Sequence, residues 1–266
     1  MKVDVKAANQ FFNQKRLRLT AIIVVFGLAY IGASLGLGFQ SRSLLGVQDG
    51  IAWLAQNFIP NEASKGYWTE ISQQLLRTFL VAVASTTCTA AVSLFLAILG
   101  AKTLAVSRSI SWLIRGFASL MRNIPIVAWA MILLFSFKQN DLTGFLALFF
   151  MTLGFLTRAF METIEDFGTE KIQALQATGA TYLQIIFQGL IPEIAIALMS
   201  WILYMIENNV RDATLVGLLT GTGIGFIFNL YFKSLRYGAA GLVVLAVILL
   251  VVSVELISNL IGRLLS

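Results

Sequence analysis

Residues 170–192 read EKIQALQATGATYLQIIFQGLIP, a polar, helix-patterned insert between two strongly apolar stretches. Thr181 stands three residues before Gln184, the capping-box arrangement that begins a helix. Apolar residues then follow at helical spacing and predict one apolar face: Leu183, Ile186, Phe187 and Leu190. The insert therefore predicts a capped, amphipathic helical pair. Either another protein docks on such a pair, or the pair lies on a bilayer surface.

The ends of these two helices carry typical boundary residues. Gly179 suits the left-handed position that closes the first helix, where a residue with a Cβ would be strained. Pro192 suits the first turn of the helix that follows, where no N–H is needed.

Composition indicates a membrane protein. The chain is 58% hydrophobic and 12% charged, against about 25% charged residues in soluble domains. Five stretches are clearly long and apolar enough to cross about 30 Å of hydrocarbon, and a sixth is expected. The predicted fold is an all-α polytopic membrane protein, in which residues 1–266 form a single transmembrane domain. The predicted spans are Leu19–Phe39, Thr78–Leu99, Ala118–Phe137, Leu142–Phe160, Glu193–Arg211 and Gly238–Ile261.

Basic residues predict the orientation of the spans. Those that precede the first span are Lys2, Lys6, Lys15, Arg16 and Arg18. By the positive-inside rule they place the N-terminus in the cytoplasm. Six crossings then put the insert and the C-terminus on the cytoplasmic side as well. The net charge of +6 is explained by this topology signal and by anionic lipid, so no nucleic-acid partner is predicted.

Several chemistries are excluded. The chain has no histidine, which removes His-based metal sites and Ser-His-Asp triads. Its single cysteine, Cys88, allows no disulfide within the chain. No P-loop motif occurs, so ATP is not bound through one. We therefore predict no enzyme, no cofactor and no metal.

Arg122 is the first polar residue of interest near membrane depth. It lies with Asn123 before Ile124-Pro125, near the inner end of the third predicted span. One interpretation is an arginine that reaches the inner headgroups. The other is a cation that faces the bundle interior, because ionisable groups in spans tend to line substrate paths. Pro125 removes a backbone hydrogen bond and can kink the helix.

The densest polar cluster runs from Glu207 to Asp212. Glu207 and Arg211 stand at i and i+4, the favoured order for an ion pair on one helix face. One interpretation is a helix end that is solvated at the outer interface. The following sequence argues against a solvated helix end, because the chain continues through the apolar, glycine-rich run 213–226, which is too short to span the membrane. That run predicts a re-entrant segment buried against other helices.

Six spans, an insert that ends in Gly-x-Ile-Pro and an outer glycine cluster resemble the inner-membrane permease of a type I ABC importer. The insert is similar to that family's EAA loop, Glu-Ala-Ala-x3-Gly-x9-Ile-x-Leu-Pro, which docks on the ATPase subunit. Here the loop reads QALQATG over 173–179 and GLIP over 189–192.

Within that family the likeness is strongest to the phosphonate permeases. Their Ala-Thr-Gly-Ala corresponds to residues 177–180, and their Gly-Val-Leu-Pro to 189–192. Their Glu-x-Asn-Val-Arg-x-Ala-Thr-x-x-Gly corresponds to 207–217, and the following Gly-x-Gly-Gly-Ile-Gly is similar to the shorter Gly-Thr-Gly-Ile-Gly at 221–225. Their Arg-x-Ile-Pro is similar to 122–125. The resemblance runs from about residue 74 to the C-terminus, with a permease core at 77–266 after an N-terminal helix and outer loop.

The resemblance implies a permease that imports phosphonate or a related phosphorus oxyanion by alternating access, in the bacterial inner membrane. The implied partners are a cytoplasmic ABC ATPase dimer, an extracytoplasmic substrate-binding protein, and a second permease copy or a paralogous permease. The implied substrate path comprises Arg122, Glu207, Asn208, Arg211 and Asp212. The implied outer gate comprises Gly217, Gly221, Gly223 and Gly225. The implied ATPase-coupling residues are Gln173, Ala174, Ala177, Thr178, Gly179, Ala180 and Pro192.

Two residues depart from the family pattern. Gln173 replaces the leading Glu of the loop, and Met205 replaces a basic residue. Two alternative functions stay open. One is the same machinery with another cargo, such as methionine or an inorganic oxyanion. The other is an ion channel or assembly factor without an ATPase, although a channel predicts a continuous polar stripe along a span, and none is evident in the sequence.

Overall fold

A computed structural model describes residues 5–36, 42–105 and 107–265, which are almost entirely helical. Lys2 and the last residues of the first predicted span, 37–39, lie outside these ranges. The chain divides into two compact units, Met1–Asn57 and Phe58–Ser266. The first holds α1 (Val5–Gly36) and α2 (Arg42–Asn57). The second begins with a 3₁₀ turn (Glu62–Tyr67) and continues with α3 (Trp68–Gly100), α4 (Arg108–Asn123), α5 (Ile126–Phe137), α6 (Asp141–Asp166), α7 (Thr169–Ala177), α8 (Tyr182–Gln184), α9 (Ile191–Thr220), α10 (Gly223–Lys233) and α11 (Tyr237–Leu265).

The all-α polytopic prediction is confirmed. Five helical segments in the described residues are long and apolar enough to cross a membrane: Gln14–Gly36, Ser64–Gly100, Asp141–Asp166, Tyr182–Thr220 and Tyr237–Leu264. The third predicted span, Ala118–Phe137, is wrong as a single helix. The chain there forms α4 and α5, which are bent by 91°; counted as one broken span, the pair makes a sixth crossing. Pro125 lacks an N–H and disfavours a helical residue before it, which explains the break.

Small residues pack α3 against α6. The Ser85 hydroxyl of α3 donates to the Phe145 carbonyl of α6 at 3.1 Å. Further along both helices, the Ser93 hydroxyl donates to the Leu153 carbonyl at 3.4 Å. The two contacts advance in the same direction, so α3 and α6 run parallel. Small side chains allow this close approach between membrane helices.

The helix α9 runs antiparallel to α6 and gives the bundle two distinct ends. Trp201 Nε1 donates to Thr163 Oγ1 at 3.2 Å, whereas Asn209 further along α9 bonds Thr152, earlier on α6. We call the end that carries α7 and α8 the insert end. The other end, where α3 and α6 begin, we call the far end.

The insert differs from the predicted helical pair. α7 is a separate helix, but α8 passes through a π-helical turn, Ile185–Leu190, directly into α9. Leu183 and Phe187 of the predicted apolar face are exposed, whereas Ile186 and Leu190 are buried. The prediction of that face was partly wrong because a π turn holds more residues than an α turn and shifts the register of the buried side.

Candidate functional site

The charged cluster of α9 lies inside the helix rather than at its end. Arg211 forms an ion pair with Glu207, one turn earlier. The predicted span ended at Arg211, but α9 continues to Thr220, about 14 Å further at 1.5 Å per residue. That predicted end was wrong because the apolar residues after Arg211 stay helical where they pack on neighbouring helices. The ion pair therefore lies at span depth.

Both side chains of this ion pair are accessible on the single chain. The exposed fraction is 19% for the Glu207 side chain and 48% for that of Arg211. Charged groups at membrane depth are costly against hydrocarbon and face a bundle interior or a water-filled cavity. Since the described residues leave this face of α9 uncovered, it meets water or another protein.

A polar stripe follows the same face of α9. We call it the α9 stripe, and its members, which are exposed or half-buried, are Ser200, Tyr204, Glu207, Asn208 and Arg211. They are spaced by about one helical turn, and Asn208 Nδ2 donates to the Tyr204 carbonyl at 2.9 Å. The stripe runs from Ser200 to Arg211 and follows only part of α9 (Ile191–Thr220), so it is not the continuous polar stripe along a span that a channel predicts. Asp212 lies on an adjacent face and is half-buried.

Asn209, which the sequence-based prediction missed, is fully buried behind this stripe. Its Nδ2 donates to the Thr86 hydroxyl of α3 at 2.7 Å. It also bonds the Thr152 hydroxyl of α6 at 2.9 Å. The sequence carried a signal of this burial, because Met205, Asn209 and Ala213 stand four residues apart and therefore share one face of the helix, which is the buried face. Interhelical hydrogen bonds of this kind fix packing, so Asn209 ties three helices together at the depth of the ion pair.

The break between α4 and α5 brings Arg122 to the same depth. A Cβ added at Gly154 of α6 would collide with the backbone nitrogen of Arg122. The last turn of α4 therefore lies against the middle of α6, close to Thr152. Trp129 Nε1 donates to the Met121 carbonyl at 3.3 Å and satisfies a carbonyl that the break leaves open. The Arg122 side chain is exposed, and no ion pair joins it to another described residue.

The predicted outer-gate glycines form a tight turn between α9 and α10. Gly221 has φ +68° and Gly223 has φ +63°, a left-handed conformation that favours glycine. α9 is helical up to Thr220, and α10 is helical from Gly223. The predicted re-entrant segment is thus mostly helical, with a break of two residues.

The other two gate glycines allow α9 and α10 to touch. A Cβ at Gly217 would lie 2.5 Å from the Thr222 carbonyl oxygen. A Cβ at Gly225 would collide with the Thr214 carbonyl oxygen and lie 2.7 Å from the Leu218 nitrogen. The backbones of the two helices are therefore in direct contact at the far end.

Hydrogen bonds at both ends of α10 fix it to α3. The Ile224 N–H donates to the Thr78 hydroxyl at 2.9 Å. The Tyr231 hydroxyl donates to Glu70 Oε2 at 2.7 Å. Burial, reinforced by this hydrogen bond, raises the pKa of the Tyr231 phenol above its ordinary range, so the hydroxyl stays protonated and remains a donor. The α9–α10 turn is therefore part of a rigid far end.

The predicted coupling residues are accessible at the insert end. The exposed ones are Gln173, Ala174, Ala177, Thr178, Gly179 and Pro192, and Ala180 is half-buried. Gly179 has φ +84°, which confirms its predicted left-handed position. A Cβ added there would meet nothing within 4 Å. Pro192 lies in the first turn of α9, as predicted.

Polar contacts tie the insert to the bundle. Lys171 of α7 forms an ion pair with Glu193 in the first turn of α9. The Tyr182 hydroxyl donates to the Leu104 carbonyl in the α3–α4 connection at 3.2 Å. Nearby, Glu165 at the end of α6 pairs with Arg115 of α4. The insert, the α3–α4 connection and α4 are therefore linked by side-chain contacts.

These positions form three separate groups. Glu207 and Arg211 meet on α9, with Arg122 at the same depth on α4. The glycine turn lies at the far end, and the coupling residues lie at the insert end.

The chain belongs to the family described as the binding-protein-dependent transport system inner membrane component, which matches residues 91–266. It is similar to the phosphite transport system permease protein PtxC of Stutzerimonas stutzeri, at 25% identity over 92% of this chain and 89% of that protein. It is also similar to the phosphate-import permease protein PhnE of Mycolicibacterium smegmatis, at 26% identity over 69% of this chain. That match covers 34% of the longer relative.

The fold is that of solved importers. A structure of the MetNI methionine ABC transporter in an inward-facing conformation aligns with a TM-score of 0.67 and 16% identity, over 77% of this chain and 99% of that chain. At this identity the likeness shows the fold alone. Family membership confirms the prediction of a multi-pass ABC-importer permease rather than an enzyme.

Proposed function

We propose that this chain is a permease subunit that imports a phosphorus oxyanion along the α9 stripe by alternating access. The observation that carries the proposal is the Glu207–Arg211 ion pair, which is accessible at span depth. A guanidinium can bind phosphoryl oxygens by donating two hydrogen bonds to them. Glu207 holds Arg211 in orientation, and Arg122 adds a second positive charge at the same depth.

The relatives support the choice of cargo. The names of two of them refer to phosphite transport and phosphate import, and both anions share the charge and acceptor oxygens of a phosphonate. The likeness to the methionine transporter concerns the fold and does not favour methionine as the cargo.

The uncovered face of α9 supports an assembly of two permeases. A second copy or a paralogue would bring two α9 stripes together around a central path. An ABC ATPase would dock on the insert, where Leu183 and Phe187 offer exposed apolar side chains and Gln173 is exposed as well. A substrate-binding protein would dock at the far end. With the basic N-terminus in the cytoplasm, the insert and the C-terminus also face the cytoplasm.

The contacts of the insert support a route for coupling. Movement of the insert would pass through the Tyr182–Leu104 hydrogen bond and the Glu165–Arg115 ion pair to α4. Arg122 lies in the last turn of α4, so this route leads from the ATPase side to the proposed path. The far end would respond as a unit, because α10 is bonded to α3 at both of its ends.

Uptake by the reconstituted complex tests the proposed function. The permease, its ATPase and its binding protein would be placed in proteoliposomes, and uptake of phosphite, phosphate, methylphosphonate and methionine measured. We expect ATP-dependent uptake of at least one phosphorus oxyanion. Arg211→Gln should lower that uptake at least tenfold, whereas the control Arg108→Gln, at an exposed arginine that begins α4, should not.

Two results would contradict the proposal. Uptake of methionine but of no phosphorus oxyanion would mean that the cargo is wrong. Flux that needs neither ATP nor the binding protein would indicate a channel.

A further inference from the structure

A second carboxylate, Glu255 of α11, lies near the Glu207–Arg211 ion pair. α9 and α11 border a groove of about 380 Å³, and Glu207, Ser258 and Asn259 contribute to its polar lining. Glu255 precedes the two α11 residues by three and four positions, so it shares their face of the helix. It is exposed, and none of the ion pairs among the described residues includes it. An ionised side chain at membrane depth avoids hydrocarbon, so Glu255 meets water or protein in this groove.

The two helices that border the groove run antiparallel. α11 begins at the far end, where Ala239 and Ala240 join a buried cluster with Ile71 in the first turn of α3. α9 ends at the far end, with Thr220 just before the glycine turn. Toward the far end, residue numbers therefore rise along α9 and fall along α11.

This direction places Arg211 and Glu255 at the same level of the two helices. The groove includes Glu207, and the next turn toward the far end carries Arg211 on α9 and Glu255 on α11. Their sequence neighbours, Val210 and Val254, belong to one buried cluster, which agrees with this level. The arginine of the α9 stripe therefore has a carboxylate on its own helix and another across the groove.

Arg211 can reach either carboxylate without movement of the helices. The axes of packed helices lie about 8–10 Å apart, a gap that an arginine and a glutamate side chain bridge together. The Arg211 side chain is 48% exposed, and exposed side chains change rotamer rapidly. A change of rotamer therefore suffices to carry the guanidinium from Glu207 to Glu255.

The two carboxylates compete with an anion for the same donors. An oxyanion bound to Arg211 uses the N–H groups that otherwise bond a carboxylate. Glu207 lies one turn away on the same helix and keeps the guanidinium on the α9 stripe. Glu255 lies on the neighbouring helix, so pairing with it draws the guanidinium away from the stripe and from an oxyanion bound there.

We propose that Glu255 displaces the phosphorus oxyanion from Arg211 and so speeds its release along the path. Glu255 is a positioning residue, because it acts through Arg211 rather than on the cargo. The inference rests on the proposed function and adds a release step to it. Loss of the Glu255 charge should therefore strengthen binding and slow turnover, a combination that loss of a binding group does not produce.

Glu255→Gln tests this role, because it removes the charge and keeps the size of the side chain. Binding of methylphosphonate would be titrated without nucleotide on the permease–ATPase complex in nanodiscs, and uptake measured in proteoliposomes with the binding protein. We expect binding to tighten about threefold or more and the maximal uptake rate to fall by a similar factor, the scale of an exposed ion pair. Glu255→Asp, which keeps the carboxylate, should stay closer to the wild type. Glu62→Gln, at an exposed acid of the 3₁₀ turn, is the matched control for binding and should not change it.

The response of Glu207 separates the two carboxylates. Glu207→Gln should weaken binding, because it removes the group that orients Arg211, whereas Glu255→Gln should strengthen it. A purely structural role of Glu255 would lower the yield of folded complex in size-exclusion chromatography and leave the affinity of the remaining complex unchanged. That result, or weaker binding by Glu255→Gln, would overturn the proposed release step.

A double-mutant cycle tests whether Glu255 acts through Arg211. In an Arg211→Gln background, Glu255→Gln should bring no further gain in binding. An equal gain in both backgrounds would mean that Glu255 repels the anion at a distance, and the release step would be wrong. Uptake by the wild type is measured in parallel. Failure to import any phosphorus oxyanion would overturn the proposed function, whereas normal wild-type uptake with an unaltered Glu255→Gln overturns the role of Glu255 alone.

Discussion

The two ends of the bundle use glycine for different physical reasons. At the far end, Gly217 and Gly225 let the backbones of α9 and α10 touch, so that any Cβ would meet main-chain atoms. At the insert end, Gly179 has a left-handed φ of +84° but open space around it. The far end is therefore a rigid joint whose geometry requires the missing Cβ. The insert is a surface element in which only the backbone conformation requires glycine.

The largest expected effect is at the rigid joint. Gly225→Ala places a Cβ against the Thr214 carbonyl and the Leu218 nitrogen, and backbone cannot move aside as a side chain can. We expect loss of most folded protein, measured as the monodisperse fraction in size-exclusion chromatography. Gly116→Ala is the matched control, because Gly116 is also helical and a Cβ there meets nothing within 4 Å. Equal yields from the two variants would mean that the joint is not tightly packed.

Between the two ends, the Glu207–Arg211 ion pair should behave as a unit. Glu207→Ala or Arg211→Ala leaves an uncompensated charge at span depth, so each single change should lower uptake at least tenfold. The double change leaves no unpaired charge. The loss of expression in the double variant should therefore be smaller than the sum of the losses in the two single variants. Uptake in proteoliposomes, with expression level as the folding control, measures this. Small and strictly additive effects would make the pair a surface feature.

Changes at Gly179 should affect coupling more than folding. Gly179→Leu forces a Cβ into a left-handed position, which costs about 1–2 kcal/mol, but it meets no neighbouring atom. We expect the complex to assemble while uptake per ATP hydrolysed falls several-fold, because the side chain also enlarges the proposed docking surface. Gly179→Asn, whose short side chain tolerates this conformation, should be milder. A Leu variant that transports normally would remove Gly179 from coupling.

The smallest expected effect is at Gln173. Its side chain is exposed, and an added carboxylate at such a site changes an interaction by about 1 kcal/mol or less. Gln173→Glu should therefore leave uptake and ATPase activity within about a few-fold of the wild type. A large gain or loss in coupled ATPase activity would show that this position forms a specific ion pair with the ATPase.

Much of the local structure could be predicted from the sequence. The left-handed Gly179 and the position of Pro192 depend on backbone rules that act within a few residues. Apolar run length likewise predicted most of the spans. These features need no knowledge of what lies next to them in space.

The remaining features depend on tertiary contacts. The helical course of α9 beyond Arg211 requires α10 as a packing partner, which composition alone does not reveal. The buried position of Asn209 depends on hydroxyls of Thr86 and Thr152 that are distant in sequence. Pro125 predicted a kink, but its 91° angle also depends on how α4 packs against Gly154.

The most direct test of the central claim is whether the α9 stripe meets water. Ser200 on the stripe and Ser253 on α11 are both exposed, and each donates its hydroxyl to the carbonyl four residues earlier. Each would be changed to cysteine in a Cys88→Ser background, since Cys88 is itself exposed. The rate of labelling by a charged thiol reagent would then be measured in the assembled complex, with and without trapped nucleotide. We expect fast, nucleotide-dependent labelling at Ser200→Cys and little at Ser253→Cys. Equal labelling of the two, or none at Ser200→Cys, would contradict a translocation path along α9.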